Sequence, residues 1–173
     1  YLLEGNSEIG LSEFNKAVNI DPNHHRSYQN IGHELTRVAK YREAIEPLEK
    51  AVSLKPDDFE SVCDLANALA ISKKSERAIY ICERALEINP SQLNLLIQFA
   101  FSLFVGGEYK KSAAYSKKAL NINPGNISAL AFLASALNEI GDREGAALYI
   151  DFNRLIQTET IVSSSGFSSL VEF

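Results

Sequence analysis

Four prolines set the spacing of this chain. Pro22, Pro56, Pro90 and Pro124 stand 34 residues apart without drift. Around each lies a variant of one phrase: AVNIDPNH (17–24), AVSLKPDD (51–58), ALEINPSQ (85–92) and ALNINPGN (119–126). Self-similarity at a fixed interval of this size marks stacked supersecondary units, each hiding its apolar face against the next copy. Proline lacks an N–H and clashes with the preceding turn, so each phrase closes one helix and opens another. Asn23, Asp57, Ser91 and Asn126 are expected to offer side-chain oxygens to the first amides of the following helix.

The same interval organises the residues between the prolines. Tyr28, Val62, Leu96 and Leu130 form one column; Ile31, Leu65, Phe99 and Leu133 a second; Leu35, Leu69, Leu103 and Leu137 a third. Between the last two runs a small column, Gly32, Ala66, Ala100 and Ala134. Steps of three, one and three place all of them on one helical face. Ala44, Ala78, Ser112 and Ala146, with Ala17, Ala51, Ala85 and Ala119, mark close approach on a second helix. The pattern predicts helical hairpins, each added one burying several side chains worth about 1.5–3 kcal/mol apiece.

Composition narrows the function classes. An apolar share of 46% suits a globular chain of 173 residues, one domain or one array. No apolar run approaches a membrane span and no signal-peptide pattern is present. The chain starts without Met and in mid-pattern, which reads as a fragment and leaves an upstream targeting segment open. Net charge is −5 with interspersed signs, so no basic stripe is offered to nucleic acid. Cys63 and Cys82 lack redox or zinc spacing and read as reduced, structural thiols of a cytoplasmic protein.

These columns resemble the tetratricopeptide repeat family, over residues 1 to about 158. The resemblance implies an all-α, right-handed α-solenoid of antiparallel helical hairpins, about four and a half repeats long. A partial repeat (1–22) precedes repeats at 23–56, 57–90 and 91–124, then a degenerate terminal one at 125–158. Cys82 takes a bulky apolar position and is expected in the core. Ser112 and Ser116 replace Ala and an aromatic, which predicts looser packing of that helix. Asn153 and Thr158 replace the last Ala and the Pro of the terminal repeat. Pro47, inside YREAIEPLEKAV, is expected to kink its helix without breaking it.

Catalytic signals are missing from the sequence. Its histidines are His24, His25 and His33; the last two share a stripe but lie about 12 Å apart along a helix, too far for one metal. There is no Gly-rich phosphate loop, nucleophile elbow or HExxH helix. Asp57 and Asp58 read as charges facing a helix N-terminus. No catalytic residue, cofactor or metal is expected.

The resemblance further implies a concave groove along the first helices, where peptides or helices bind. The corresponding residues are Arg26, Gln29, His33 and Arg37, then Glu60, Cys63, Asn67 and Ile71. Asn94, Ile97, Phe101 and Phe104 follow, then Ser128, Ala131, Ser135 and Asn138. The groove is expected to run from cationic and polar to apolar. Ile97, Phe101 and Phe104 either pack against neighbouring helices or form an anchor pocket for a partner's apolar side chain. The family's carboxylate clamp is not matched: Asn67 alone survives, with Gln29, His33, Ile97 and Phe101 at its other positions. Asn30, Asp64 and Gln98 form a polar column beside the groove, suited to a peptide backbone, which Phe132 ends.

Residues 159–173 read either as a capping segment or as the start of a further module. Ser169 to Glu172 has a capping-box pattern. Asp151, Arg154 and Leu155, then Gly166, Leu170 and Phe173, are similar to the junction of bacterial repeat proteins with a 2-oxoglutarate/Fe(II) oxygenase-like domain. The functional expectation is a scaffold binding a peptide or partner protein, with no nucleic acid or membrane. The alternative is a substrate-recruiting or oligomerising arm of a larger enzyme. A homodimer through the third or terminal repeat is a further expectation.

Overall fold

The computed structural model describes residues 2–164, with side-chain surroundings for residues 10–155. These residues form nine helices and no strand. Helix α1 (Leu2–Ile20) has no hairpin partner before it among the described residues and packs against α2. Four hairpins follow: α2 (His25–Arg37) with α3 (Tyr41–Leu54), α4 (Phe59–Ile71) with α5 (Ser75–Ile88), α6 (Leu93–Val105) with α7 (Tyr109–Ile122), and α8 (Ile127–Glu139) with α9 (Arg143–Ser164). Every first helix, and every second helix, starts 34 residues after its predecessor. The proline interval is therefore the interval of the fold.

The turns at the prolines shift three of the expected caps by one residue and keep the fourth, Asn126. The capping residues are His24, Asp58, Gln92 and Asn126, the second after each proline. Asp58, Gln92 and Asn126 accept from the backbone amides of Ser61, Leu95 and Ala129. Asn23, Asp57 and Ser91 instead sit inside the turn. The amides of Asn23, Ser91 and Gly125 donate to the side chains of Asp21, Asn89 and Asn123, which fold the turn locally. His24 makes no such cap; its Nδ1 lies 2.7 Å from the Ser27 hydroxyl.

Within each hairpin the turn is left-handed. Ala39 (φ 61), Lys73 (φ 63), Gly107 (φ 79) and Gly141 (φ 87) occupy one column. The amides of Lys40, Lys74, Glu108 and Asp142 reach back to the carbonyls of Leu35, Leu69, Leu103 and Leu137 at 2.8–2.9 Å, as in a Schellman motif. Two of these left-handed residues carry a Cβ, which is unfavourable there by about 1 kcal/mol. Ala39→Gly and Lys73→Gly should each raise stability by roughly that amount. Thermal melts followed by circular dichroism check this, and an unchanged or lowered midpoint in both would refute it.

Curvature follows from which helices touch. Successive first helices contact one another: α2 with α4, α4 with α6, and α6 with α8. Among the described residues no such close backbone approach joins α1 with α3, α3 with α5, α5 with α7 or α7 with α9, although the Arg77 and Glu49 side chains pair between α5 and α3. The array therefore closes up along the first helices and splays along the second, leaving the first helices on the inner, concave side.

The apolar columns supply the core. Val62, Leu65, Leu69, Leu96, Phe99, Leu103, Leu130 and Leu133 are almost wholly buried, with the alanines of the small columns packed between them. Cys82 is fully buried, as its column predicts. Helix α3 runs through Pro47 without a break. Ser112 and Ser116, where looser packing is expected, are both fully buried, and the Ser116 hydroxyl has no hydrogen-bond partner. The Ser112 hydroxyl donates to the Ala100 carbonyl at 2.8 Å, which lets a polar side chain occupy an alanine position.

At the far end no turn separates residue 158 from 159, because Thr158 stands where proline ends the other repeats and α9 continues to Ser164. Gly166, Ser169, Leu170, Glu172 and Phe173, on which the second-module reading also depends, lie outside the described residues.

Candidate functional site

The inner surface is built from side chains that do not face the core of their own hairpin. Between α2 and α4 it carries polar rungs. His25 Nε2 lies 3.2 Å from Asp58 Oδ2, Gln29 Nε2 donates to Glu60 Oε2 at 2.9 Å, and His33 Nδ1 lies 3.1 Å from Asp64 Oδ2. Asp58 also accepts from the Ser61 hydroxyl and amide. Burial would raise the Asp58 carboxyl, but the Ser61 and His25 hydrogen bonds outweigh it and hold the group below its ordinary value. Asp64 behaves oppositely: burial raises it, and the His33 bond only partly offsets this.

These rungs correct the charge expected at the α2 end. Arg26, Gln29 and His33 line a hollow of about 250 Å³ with Lys55, but Asp58 and Glu60 stand in the same walls. Arg37 is paired with Glu34 at 2.8 Å. Arg26 shares its hollow with carboxylates of the next repeat and Arg37 is met by Glu34 of its own helix, so the end is mixed rather than cationic. The regular offset was available in the sequence: Gln29 to Glu60 and His33 to Asp64 are both 31 residues apart.

A second inner hollow, about 520 Å³, opens between α4, α6 and the start of α8. Helix α4 contributes Phe59, Glu60, Cys63 and Asp64. Asn94, Ile97 and Gln98 come from α6, next to its cap Gln92; Asn126 and Ser128 begin α8. Gln92 and Asn126 spend their side-chain oxygens on helix caps, which leaves their NH₂ groups to the hollow. The Gln98 amide nitrogen is buried and has no hydrogen-bond partner. The surface thus combines two carboxylates, several amide donors and two apolar side chains, with no lysine or arginine in its walls.

Of the groove residues read from sequence, Arg26, Gln29 and His33 line the first hollow and Cys63, Asn94 and Ile97 the second. Arg37, Asn67, Phe101, Phe104 and Ser135 line neither. Phe101 packs on Phe132 and Phe104 on Tyr109, each with ring centroids 5.4 Å apart. Sequence reading passed over Gln92 and Asn126 as groove residues because capping residues look purely structural.

Little in these walls supports catalysis. Burial, then the neighbouring Asp64, Glu60 and Asp58 charges, push the Cys63 thiol up to about 12. Cys82 is raised further, again chiefly by burial. Neither thiol is a nucleophile near neutral pH. Among the described residues no group of three or more His, Cys, Asp or Glu side chains is arranged to hold a metal, and no helix is long and apolar enough to cross a membrane. A larger hollow of about 680 Å³ lies between α1, α2 and α3, on the outer side. It is the gap left by splayed second helices, widened where Glu46 and Pro47 stand in place of Tyr80 and Ile81 of the next repeat.

Comparison with known proteins agrees with this architecture. A family model described as anaphase-promoting complex, cyclosome, subunit 3 matches residues 37–119, just under half of the chain. A crystal structure of MamA superposes with a TM-score of 0.80 at 22% identity, over 91% of this chain and 92% of that one. A MamA fragment from Desulfovibrio magneticus RS-1 gives 0.79 at 17%, over 91% and 89%. YrrB, described as a TPR protein with an unusual peptide-binding site, gives 0.72 at 20%, over 93% and 83%. The chain has the fold of a tetratricopeptide-repeat protein. No curated protein sequence matches it. In this array of helical hairpins the two inner hollows lie on the first helices. The terminal α9 leaves Leu148, Ile150, Phe152 and Leu155 exposed.

Proposed function

We propose that this chain is a non-catalytic interaction scaffold that holds an extended peptide, or an extended segment of a partner protein, along the inner face of its first helices. The observation that carries the reading is the second hollow. Amide donors of Gln92, Asn94 and Asn126 stand there with carboxylates, a pairing able to serve both the carbonyls and the N–H groups of an extended backbone. YrrB supplies a relative of the same fold that binds a peptide. Free thiols at Cys63 and Cys82 suit a reducing compartment.

Blocking the hollow without touching the core tests this. Asn94 and Ser128 are exposed hollow-lining residues, so Asn94→Tyr/Ser128→Tyr fills the space while leaving packing intact. Peptides selected on the wild-type chain from a random library should bind this variant about tenfold more weakly, a loss of about 1.4 kcal/mol. Lys117→Tyr, on the outer face of α7, should leave binding unchanged. Equal binding by all three proteins would remove the groove from consideration. Light scattering on the same samples separates a partner peptide from a second copy, for which exposed α9 is a better candidate than internally packed α6.

A further inference from the structure

We infer that the hollow between α4 and α6 selects a partner segment carrying a lysine or arginine beside an apolar residue. This rests on the groove reading above and adds the charge of the occupant. Glu60 and Asp64 lie one helical turn apart on α4, and both carboxylates face a cavity whose walls hold no cation. Their present donors, Gln29 and His33, each make one hydrogen bond, whereas a carboxylate accepts about four. Lone pairs therefore remain for an ammonium or guanidinium group.

Three further observations point the same way. Asp64 is half-buried, and burial lifts its carboxyl above the ordinary value, so a buried negative charge stands there without enough compensation. A cation entering the hollow supplies what is missing. Phe59 and Ile97 flank the carboxylates and offer apolar surface to the methylene stem of the same side chain, or to its apolar neighbour. The Gln98 nitrogen is buried without an acceptor, and turning the side chain outward into the hollow would give it a peptide carbonyl beside the basic residue. Arg26 and Lys55 line the adjoining hollow, so the walls here offer no cation to an acidic occupant. The occupant is thus opposite in charge to the terminal carboxylate bound by the clamp that this chain lacks.

The test is selection of random twelve-residue peptides on the 173-residue chain, followed by fluorescence anisotropy with each recovered peptide. The expected peptides carry Lys or Arg next to an apolar residue. They should bind Glu60→Gln/Asp64→Asn about tenfold or more weakly and lose affinity as salt rises. Both substitutions are near-isosteric, and circular dichroism confirms the fold. Peptides without Lys or Arg that bind wild type and Glu60→Gln/Asp64→Asn equally, yet fail on Asn94→Tyr/Ser128→Tyr, overturn the basic-residue inference and leave the groove standing. Peptides indifferent to Asn94→Tyr/Ser128→Tyr, or no recovered peptides at all, overturn both.

Discussion

Phe99→Ala is expected to destabilise the chain by roughly 3–5 kcal/mol, the largest effect of any single truncation considered. Phe99 is 1% exposed and lies at the centre of the array, in α6, where its ring meets Tyr115 edge-on at 4.5 Å. It packs within the cluster that includes Leu65, Leu69, Cys82 and Leu103, so its removal opens a cavity between the second and third hairpins. Stability in a stacked array is close to a sum of unit and nearest-neighbour terms. Losing a central interface should therefore do more than lower the midpoint. The two halves should begin to unfold separately, and urea unfolding followed by circular dichroism should broaden or become biphasic. Phe99→Leu, which keeps most of the volume, should cost about 1–1.5 kcal/mol. A loss below about 1 kcal/mol for Phe99→Ala would mean the hairpins are not held by this column.

Gly32→Ala is expected to destabilise by about 2–3 kcal/mol, although Gly to Ala inside a helix ordinarily stabilises by roughly 1 kcal/mol. The reason is the neighbour. A Cβ at residue 32 would lie 2.3 Å from Leu48 Cγ and 2.4 Å from Cδ2, and Leu48 is fully buried. One repeat later the equivalent positions are Ala66 and Cys82, and one further Ala100 and Ser116. In these two central repeats, where the first position holds alanine, the second holds a smaller side chain; in the terminal repeat Ala134 is matched with Ile150, which turns out to solvent instead. The pair Gly32 and Leu48 fills the same space with its volume shifted to one side. Gly32→Ala/Leu48→Cys should accordingly recover most of the loss, with a coupling of at least about 1 kcal/mol in a double-mutant cycle. If Gly32→Ala stabilises, as helix propensity alone demands, the exchange of volume between these columns is wrong.

That exchange shows how far columns in the sequence can be read. Ser116 looked like a weakening substitution when set against an aromatic consensus. Beside Ala100 its small size belongs to the packing, and Ser112 finds the Ala100 carbonyl. A column gives the residue types at one position; whether they fit depends on the column they face. Three of the four caps were displaced for a related reason, Asn126 alone standing where expected. Asp57 and Asp58 both carry the right oxygen, and only the register of α4 decides that Asp58 caps while Asp57 lies in the turn. The left-handed turn column was legible from Gly107 and Gly141, but Ala39 and Lys73 concealed it in the first two full repeats.

What the sequence determined by itself is the periodic part: helical hairpins at intervals of 34 residues and the faces that they bury. Those properties depend on neighbours along the chain and on a repeating apolar stripe, which one sequence displays in full. The inner surface was decided only by tertiary structure. His33 meets Asp64, Arg26 shares a hollow with Asp58, and the capping residues Gln92 and Asn126 turn their amide groups into a shared cavity because α2, α4, α6 and α8 approach one another. Charge on such a surface is a sum over helices from different repeats, and that sum exists only once the distance between them is set.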